Sequence, residues 1–384
     1  MTKLQTGIIG AIVVAGIVAP LAIQHQAAVK LSEQDLMLQQ QREQVAHLVG
    51  ENQRLSNQMA RVRMSVPRLP APRMPAATAP ADAPTEDSQS TRLILELLHS
   101  DKPLRLSTEQ VASFLEKNHR SAASLLAAFR TTRDRTLLQE AIDKYPTDPQ
   151  VAYVAVYQMP DRRHWLDGFK QSAPDNALAN YISALDYFQA GQTDLAVQDL
   201  IAASRKPECQ DYSLNWILSN DEAFRAAGYS EAEAKAISSM SLELPSLAGM
   251  KNLSHNIADL ANSYRQAGDT ASAQAALQMD LNLGQSLESQ AGGALITKLV
   301  GIAIENIGLK AMDPSSPYGA AGQTVRDRLD QLAHQSATLK HLVPQTESLM
   351  PTMSAQDWIS YNDRWRAFGE AAAAKWLIDK YGGH

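Results

Sequence analysis

Hydrophobic and polar positions divide this 384-residue chain into four stretches of different periodicity. Gly7 to Ile23 reads GIIGAIVVAGIVAPLAI, without a charged or polar side chain. As a helix it would extend roughly 26 Å, enough to cross a hydrocarbon core at the short end of the range. Ala11, Ala15 and Ala19 recur every four residues, a small-residue face that lets two such helices approach closely. The rival reading is a cleavable signal peptide with Lys3 as its basic start. His25, three residues before the join at Ala27, spoils a small-x-small cleavage site and favours an uncleaved anchor.

A heptad follows. Leu31, Leu38, Val45, Asn52 and Met59 make the a positions, and Gln34, Gln41, Leu48, Leu55 and Val62 the d positions. Such a seam predicts a coiled coil, and Asn52 at an a position favours a parallel, in-register dimer. Gln34, Gln41 and Gly50 weaken the seam, the glycine by about 1 kcal/mol. Pro67, Pro70, Pro72, Pro75, Pro80 and Pro84 then punctuate an Ala-rich stretch, which predicts an extended spacer. The expected organisation is a tail over residues 1–6, a transmembrane anchor over 7–23 and a coiled-coil stalk over 24–64. A Pro/Ala-rich disordered linker over 65–91 and a helical domain over 92–384 complete it.

In that last region the apolar spacing is helical throughout, and no alternating strand pairs with hairpin turns occur. Ser107-Thr108-Glu109-Gln110 is a capping box opening TEQVASFLEK. Tyr145-Pro146-Thr147-Asp148-Pro149 and Ala173-Pro174-Asp175-Asn176 separate successive helices. Ala291 to Met312 is nearly apolar and invites reading as a second membrane span. Lys298 and Glu305 fall inside it, on nearly one face, so a helix buried within the domain is the better expectation.

Three segments share a pattern of small residues and a turn glycine. In Ala177–Ser204, Ala184 and Tyr187 precede Gly191, and Ala196, Leu200 and Ala203 follow it. From Ser254, Leu260, Ala261, Tyr264, Gly268, Ala273 and Leu277 take the same offsets, with Asp280 where a small residue is expected. From Ala355, Trp358, Trp365, Gly369 and Ala374 do so, with Asn362 at the small position. These segments resemble the tetratricopeptide repeat (TPR), a helix–turn–helix unit of about 34 residues. The resemblance implies an all-α fold, with TPR-like helical hairpins stacked into an α-solenoid. It also implies a partner-binding groove lined by the first helix of each hairpin. Carried over, the groove positions are Leu178, Tyr181, Leu185, Phe188 and Gln189 in the first unit, and His255, Ala258, Asn262, Arg265 and Gln266 in the second.

Chemistry adds little. The net charge of −6 speaks against a nucleic-acid partner. Cys209 is the only cysteine, so it forms no intramolecular disulfide, and a small buried hydrophobe is its expected role, with a bridge between chains as the alternative. No HExxH, GxSxG or GxxxxGK[ST] pattern occurs, and the nine histidines are scattered. No catalytic residue, metal ligand or cofactor is therefore expected. Gly292-Gly293 is expected to serve close helix packing. Asp161-Arg162-Arg163-His164-Trp165 is expected to be a solvated helix start, and Trp358 and Trp365 to be core.

The parts resemble bacterial envelope proteins that join a membrane anchor or coiled coil to tetratricopeptide repeats. The expected function is a non-enzymatic scaffold for a protein or peptide partner, dimeric through its stalk and held in a bacterial inner membrane. Lys3 before the span, against Lys30, Glu33 and Asp35 beyond it, favours the amino terminus inside, so the C-terminal domain is expected outside the cytoplasm. A membrane-anchored foldase or chaperone is the alternative, although the Arg-x-x-Phe-Asp-Tyr core of lipase foldases is missing, and a helical cell-wall hydrolase is the third. A peptide of residues 24–64 should be helical and dimeric in a concentration-dependent way. Asn52→Ile should raise its stability and loosen its choice of oligomer. Sedimentation equilibrium that finds a helical monomer at high micromolar concentration would rule the stalk out.

Overall fold

The structure, a computed structural model, describes residues 86–100, 103–290, 292–319 and 322–382. The anchor, the stalk and most of the linker lie outside the described residues. The described chain is all-α: sixteen α-helices and one 3-10 turn, with two isolated bridges and no strand. No helix among the described residues is long and apolar enough to cross a membrane.

The first helix, α1 (Glu86–Leu98), begins inside the stretch assigned to the linker. The helix starts there because Pro84 is the last proline of the Ala-rich stretch, and no proline or glycine follows it before Leu98. The chain continues through α2 (Thr108–Lys117), α3 (Ala122–Thr132), α4 (Arg135–Lys144), α5 (Pro149–Gln158) and α6 (Arg162–Ser172). Next come α7 (Ala177–Gln189), α8 (Thr193–Ala203), α9 (Ser213–Ala226) and α10 (Glu231–Met240). The last six are α11 (Leu247–Gln266), α12 (Thr270–Glu288), α13 (Leu295–Lys310), α14 (Val325–Leu349), α15 (Ala355–Phe368) and α16 (Glu370–Tyr381).

Local chemistry explains most of these starts. Ser107 caps α2 with both bonds of the capping box, and Ser230, Thr324 and Ser354 do the same for α10, α14 and α15. Asp148 caps α5 with Pro149 in its first turn, and Asn176 caps α7. Asp161 caps α6 through the His164 amide, which makes its charged cluster a helix start, as expected. Gly292-Gly293, by contrast, lies in the break between α12 and α13. Gly292 has φ +65° and packs against Leu214, so the pair shapes a loop rather than a helix crossing.

Consecutive helices pack as antiparallel neighbours, α5 on α6, α7 on α8, α11 on α12 and α15 on α16. The three glycine-turned segments are helical hairpins: Gly191, Gly268 and Gly369 all hold positive φ at or beside the turn. Ala184 and Ala261 are fully buried. Long-range packing then closes the chain, with α9 on α3, α10 on both α15 and α1, and α16 on α14. Trp358, Tyr361 and Trp365 of α15 join Ile94 of α1 and Ala236 of α10 in one core cluster. Cys209 packs against the main core, and burial pushes its thiol up to about 12.

The closest approach is between α12 and α13. A Cβ on Gly301 would lie 2.6 Å from the Gly284 carbonyl oxygen, and one on Gly284 would lie 2.8 Å from the Glu305 amide nitrogen. The backbones therefore touch, and the nearly apolar segment is a packed helix. Asp280 of α12 is fully buried beside Gly308, and accepts a bond from Ser254 Oγ at 2.9 Å. This explains how a carboxylate occupies a position where a small residue was expected: Gly308 on the facing helix supplies the room. Burial without a cation pushes the Asp280 carboxyl up to about 8.

Two expected outcomes follow from this packing. Gly301→Ala should cost about 1–3 kcal/mol by forcing α12 and α13 apart. Gly168→Ala, whose Cβ would enter open space within α6, should instead stabilise by about 0.5–1 kcal/mol. Denaturant melts of the two variants test the assignment, and a neutral Gly301→Ala refutes it.

The second outcome concerns pH. An unfolded aspartate titrates near ~3.9, so between there and about 8 the unfolded chain releases a proton that the folded chain keeps. Stability should fall as pH rises through that window. Glu288, raised to about 7, adds to the same slope. Asp280→Asn should flatten the decline of melting temperature with pH, and an unchanged slope would clear Asp280.

Candidate functional site

The residues expected to line a groove separate into three places. Tyr181, only 2% exposed, sits in α7, where every residue from Ala177 to Leu185 is buried. Burial pushes its phenol pKa up, and the ring belongs to the core rather than to a groove. Leu178 and Leu185 are buried with it, and Phe188 is half-buried against the core. The reason is that α7 packs against α6, α8 and α11 together, which leaves no open face. Gln189 is exposed at the end of the helix.

On α11 the expected residues fare differently. His255 is exposed, and Ala258 is half-buried one turn further on. Asn262, Arg265 and Gln266 are exposed near the helix end. Arg265 donates to Asn262 Oδ1 at 2.8 Å and to the Ala311 carbonyl, so it ties the end of α11 to the end of α13. Of the seven strongest candidates, Tyr181, Gln189, His255, Ala258, Asn262, Arg265 and Gln266, His255 lines a groove between helices.

That cavity is an open groove of about 680 Å³ between α11, α13 and α14. Its floor is Leu299, Ile302, Ala303 and Ile307 from α13, and Leu332, Ala333 and Ala337 close it from α14. Lys251 and His255 stand on the α11 side and Lys340 on the α14 side, with no carboxylate among the lining residues. From Leu299 to Ile307 the floor extends about 12 Å, two turns of helix.

α14 is held against α13 through a buried ion pair near its start, and against α16 elsewhere along its length. Glu305, fully buried in α13, accepts two bonds from Arg328 of α14: Nε to Oε1 and Nη2 to Oε2, both at 2.7 Å. Tyr318 Oη donates to Glu305 Oε1 at 2.7 Å. Burial alone would raise the Glu305 carboxyl, but the Arg328 and Tyr318 bonds outweigh it and hold it below the usual carboxylate range. Glu288, beside the same carboxylate, is pushed up to about 7 by burial and by Glu305.

Sequence reasoning missed Lys251, Lys340 and the α13 floor. A signal was available: Ala291–Met312 is apolar on more faces than a helix packed on one side can bury. Within it, Leu299, Ala303 and Ile307 are only half-buried and form the floor. No group of histidine, cysteine, aspartate and glutamate that could hold a metal ion occurs among the described residues.

Fold and groove together define an all-helical domain with one face of α13 left open between two flanking helices. Compared with known proteins, the chain matches no family model, no curated protein and no solved structure.

Proposed function

We propose that this protein is a non-enzymatic scaffold whose helical domain is a TPR-like α-solenoid, closed up by long-range packing, that binds a protein or peptide partner. In this reading residues 7–23 hold it in a membrane, 24–64 pair two copies, and the domain stands outside the cytoplasm. Three glycine-turned hairpins with buried residues at the small positions, Ala184, Ala261 and Asn362, support the solenoid.

The observation that carries the binding function is the groove of α11, α13 and α14. A half-buried apolar floor flanked by Lys251, His255 and Lys340, in a chain of net charge −6, is a local reversal of sign. Its complement is an amphipathic helix of a partner protein, with apolar residues at i, i+3 or i+4 and i+7 and glutamate or aspartate on their flanks. Two turns of such a helix match the floor.

The full chain in detergent should bind a labelled model helix with a leucine face and glutamate flanks, and bind its lysine-flanked counterpart much less. Ile307→Asp should weaken binding about tenfold, since an apolar anchor and its pocket are lost together. Reversing both lysines, Lys251→Glu with Lys340→Glu, should invert the preference between the two peptides. Equal binding of both peptides by the wild type, or wild-type binding by Ile307→Asp, overturns the reading.

A further inference from the structure

Two acids meet where α12 crosses α13. A Cβ on Gly301 would lie 2.8 Å from Glu288 Cγ, and one on Gly284 would lie 3.1 Å from Glu305 Cβ, so each acid lies over the glycine of the facing helix. Their carboxyl groups are hydrogen-bonded to each other. Such a bond needs a proton on one of them, because a carboxylate only accepts. Glu305 is the poorer home for it: Arg328 donates to both of its oxygens and Tyr318 Oη to Oε1, all at 2.7 Å, and these donors favour the charged form. Glu288 Oε1, by contrast, is sealed from solvent without a hydrogen-bond partner, a costly place for a negative charge.

The charges around Glu288 come from the elements packed on it. α13 contributes Glu305 and Lys298, and α14 contributes Arg328. Both cations pull the Glu288 carboxyl down, but burial and Glu305 outweigh them and bring it up to about 7. Tyr318, raised to about 12, remains a phenol. On α11, Lys251, His255, Asp259 and Arg265 are exposed, as are Arg326, Asp327 and Asp330 at the start of α14. Asp280, the other buried acid of α12, stands about two turns away against Ser254 of α11.

We propose that this crossing is a proton-operated clasp on the start of α14: Glu288 keeps a proton that it donates to Glu305, and losing that proton to solvent loosens both the crossing and the hold of Glu305 on Arg328. With the proton in place, Arg328 serves a single negative charge. Without it, two carboxylates face each other across helices whose backbones touch, and Arg328 is divided between them. α14 walls the groove, so the clasp sets how firmly that wall is held, whatever the groove binds.

The direction follows from linkage. A glutamate in an opened crossing titrates near ~4.3, well below Glu288 in the closed one, at about 7. Opening therefore grows as pH rises between those values and levels off once the closed form is ionised too. The clasp is shut in mildly acidic surroundings and loose in alkaline ones.

Hydrogen exchange of the full chain in detergent, read as protection factors from about pH 5 to about pH 8.5, tests the clasp. Protection in residues 300–308 and 326–332 should fall about tenfold over that range and level off near its top, while α2 to α6 keep theirs. Glu288→Gln, whose amide still donates to Glu305 but cannot titrate, should abolish the fall, and Asp280→Asn should retain it. Infrared difference spectra between the two pH limits should show the wild type losing a protonated-acid band that Glu288→Gln lacks. Wild-type protection at the start of α14 that stays flat with pH overturns the clasp, with no variant needed. So does a fall confined to α12 and α13, one that persists in Glu288→Gln, or one that disappears in Asp280→Asn.

Discussion

The C-terminal half of the domain depends on one carboxylate. Glu305 is wholly buried in the most apolar helix of the described chain, and two parallel bonds from Arg328 answer its charge. A buried ion pair contributes little net stability over apolar residues of the same shape, but removing one partner costs about 3–5 kcal/mol. Its main consequence is therefore geometric. The fork of Arg328 fits Glu305 in one orientation, so α14 meets α13 at one register, and Tyr318 fixes the loop between them. Leu332 and Leu339 of α14 then fall against Leu281, Ile302 and Leu309 as a separate small core. The groove is what remains on the open side of that contact. Most residues of α14 are exposed, so its hold on α13 rests on this pair and a thin apolar stripe, while α16 packs on it independently.

Glycine supplies the other half of the constraint. Backbone contact at Gly284 and Gly301 lets α12 and α13 lie close enough for Glu288 to approach Glu305. Burial raises Glu288 and the neighbouring Glu305 carboxylate adds to it, while the bonds from Arg328 and Tyr318 hold Glu305 low. The same closeness admits Asp280 beside Gly308. Small residues and buried acids along these two helices are thus a single feature: the glycines make the room, and the acids occupy it.

What could be read from the sequence was governed by distance along the chain. Capping boxes at Ser107 and helix breaks before Pro149 and Ala177 involve residues within four of one another, and each appears where the sequence placed it. The hairpins at Gly191, Gly268 and Gly369 are likewise local. The pairing of α10 with α15 joins residues more than a hundred positions apart, and no periodicity encodes it. Tyr181 shows the cost of transferring a position by analogy: ALANYISAL has no charged residue and only Asn180 and Ser183 as small polar ones, so no face of it is marked for solvent. His255 survives as a cavity residue because its neighbours on α11 alternate polar and apolar at helical spacing. Arg130 gave no signal, because its meaning comes from Trp216 and Asn220, some ninety residues away.

Buried acids and buried bases are not equivalent in this fold. Asp280, pushed by burial up to about 8, keeps its proton at neutral pH and needs no counter-ion. Glu305 cannot follow that course, because its bonds to Arg328 and Tyr318 favour the charged form, and it is fully compensated. Arg130 has neither escape. Even displaced to about 9 it stays protonated at neutral pH, and its bonds go to the neutral oxygens of Ser219 and Asn220. Stacking on Trp216 offsets some of the lost hydration, on the order of 2 kcal/mol for a desolvated pair. It provides nothing for the Nη1 donor, which lies in the plane of the guanidinium rather than over the ring. Arg130 thus keeps its charge with two neutral hydrogen-bond acceptors and the face of the Trp216 ring as its partners.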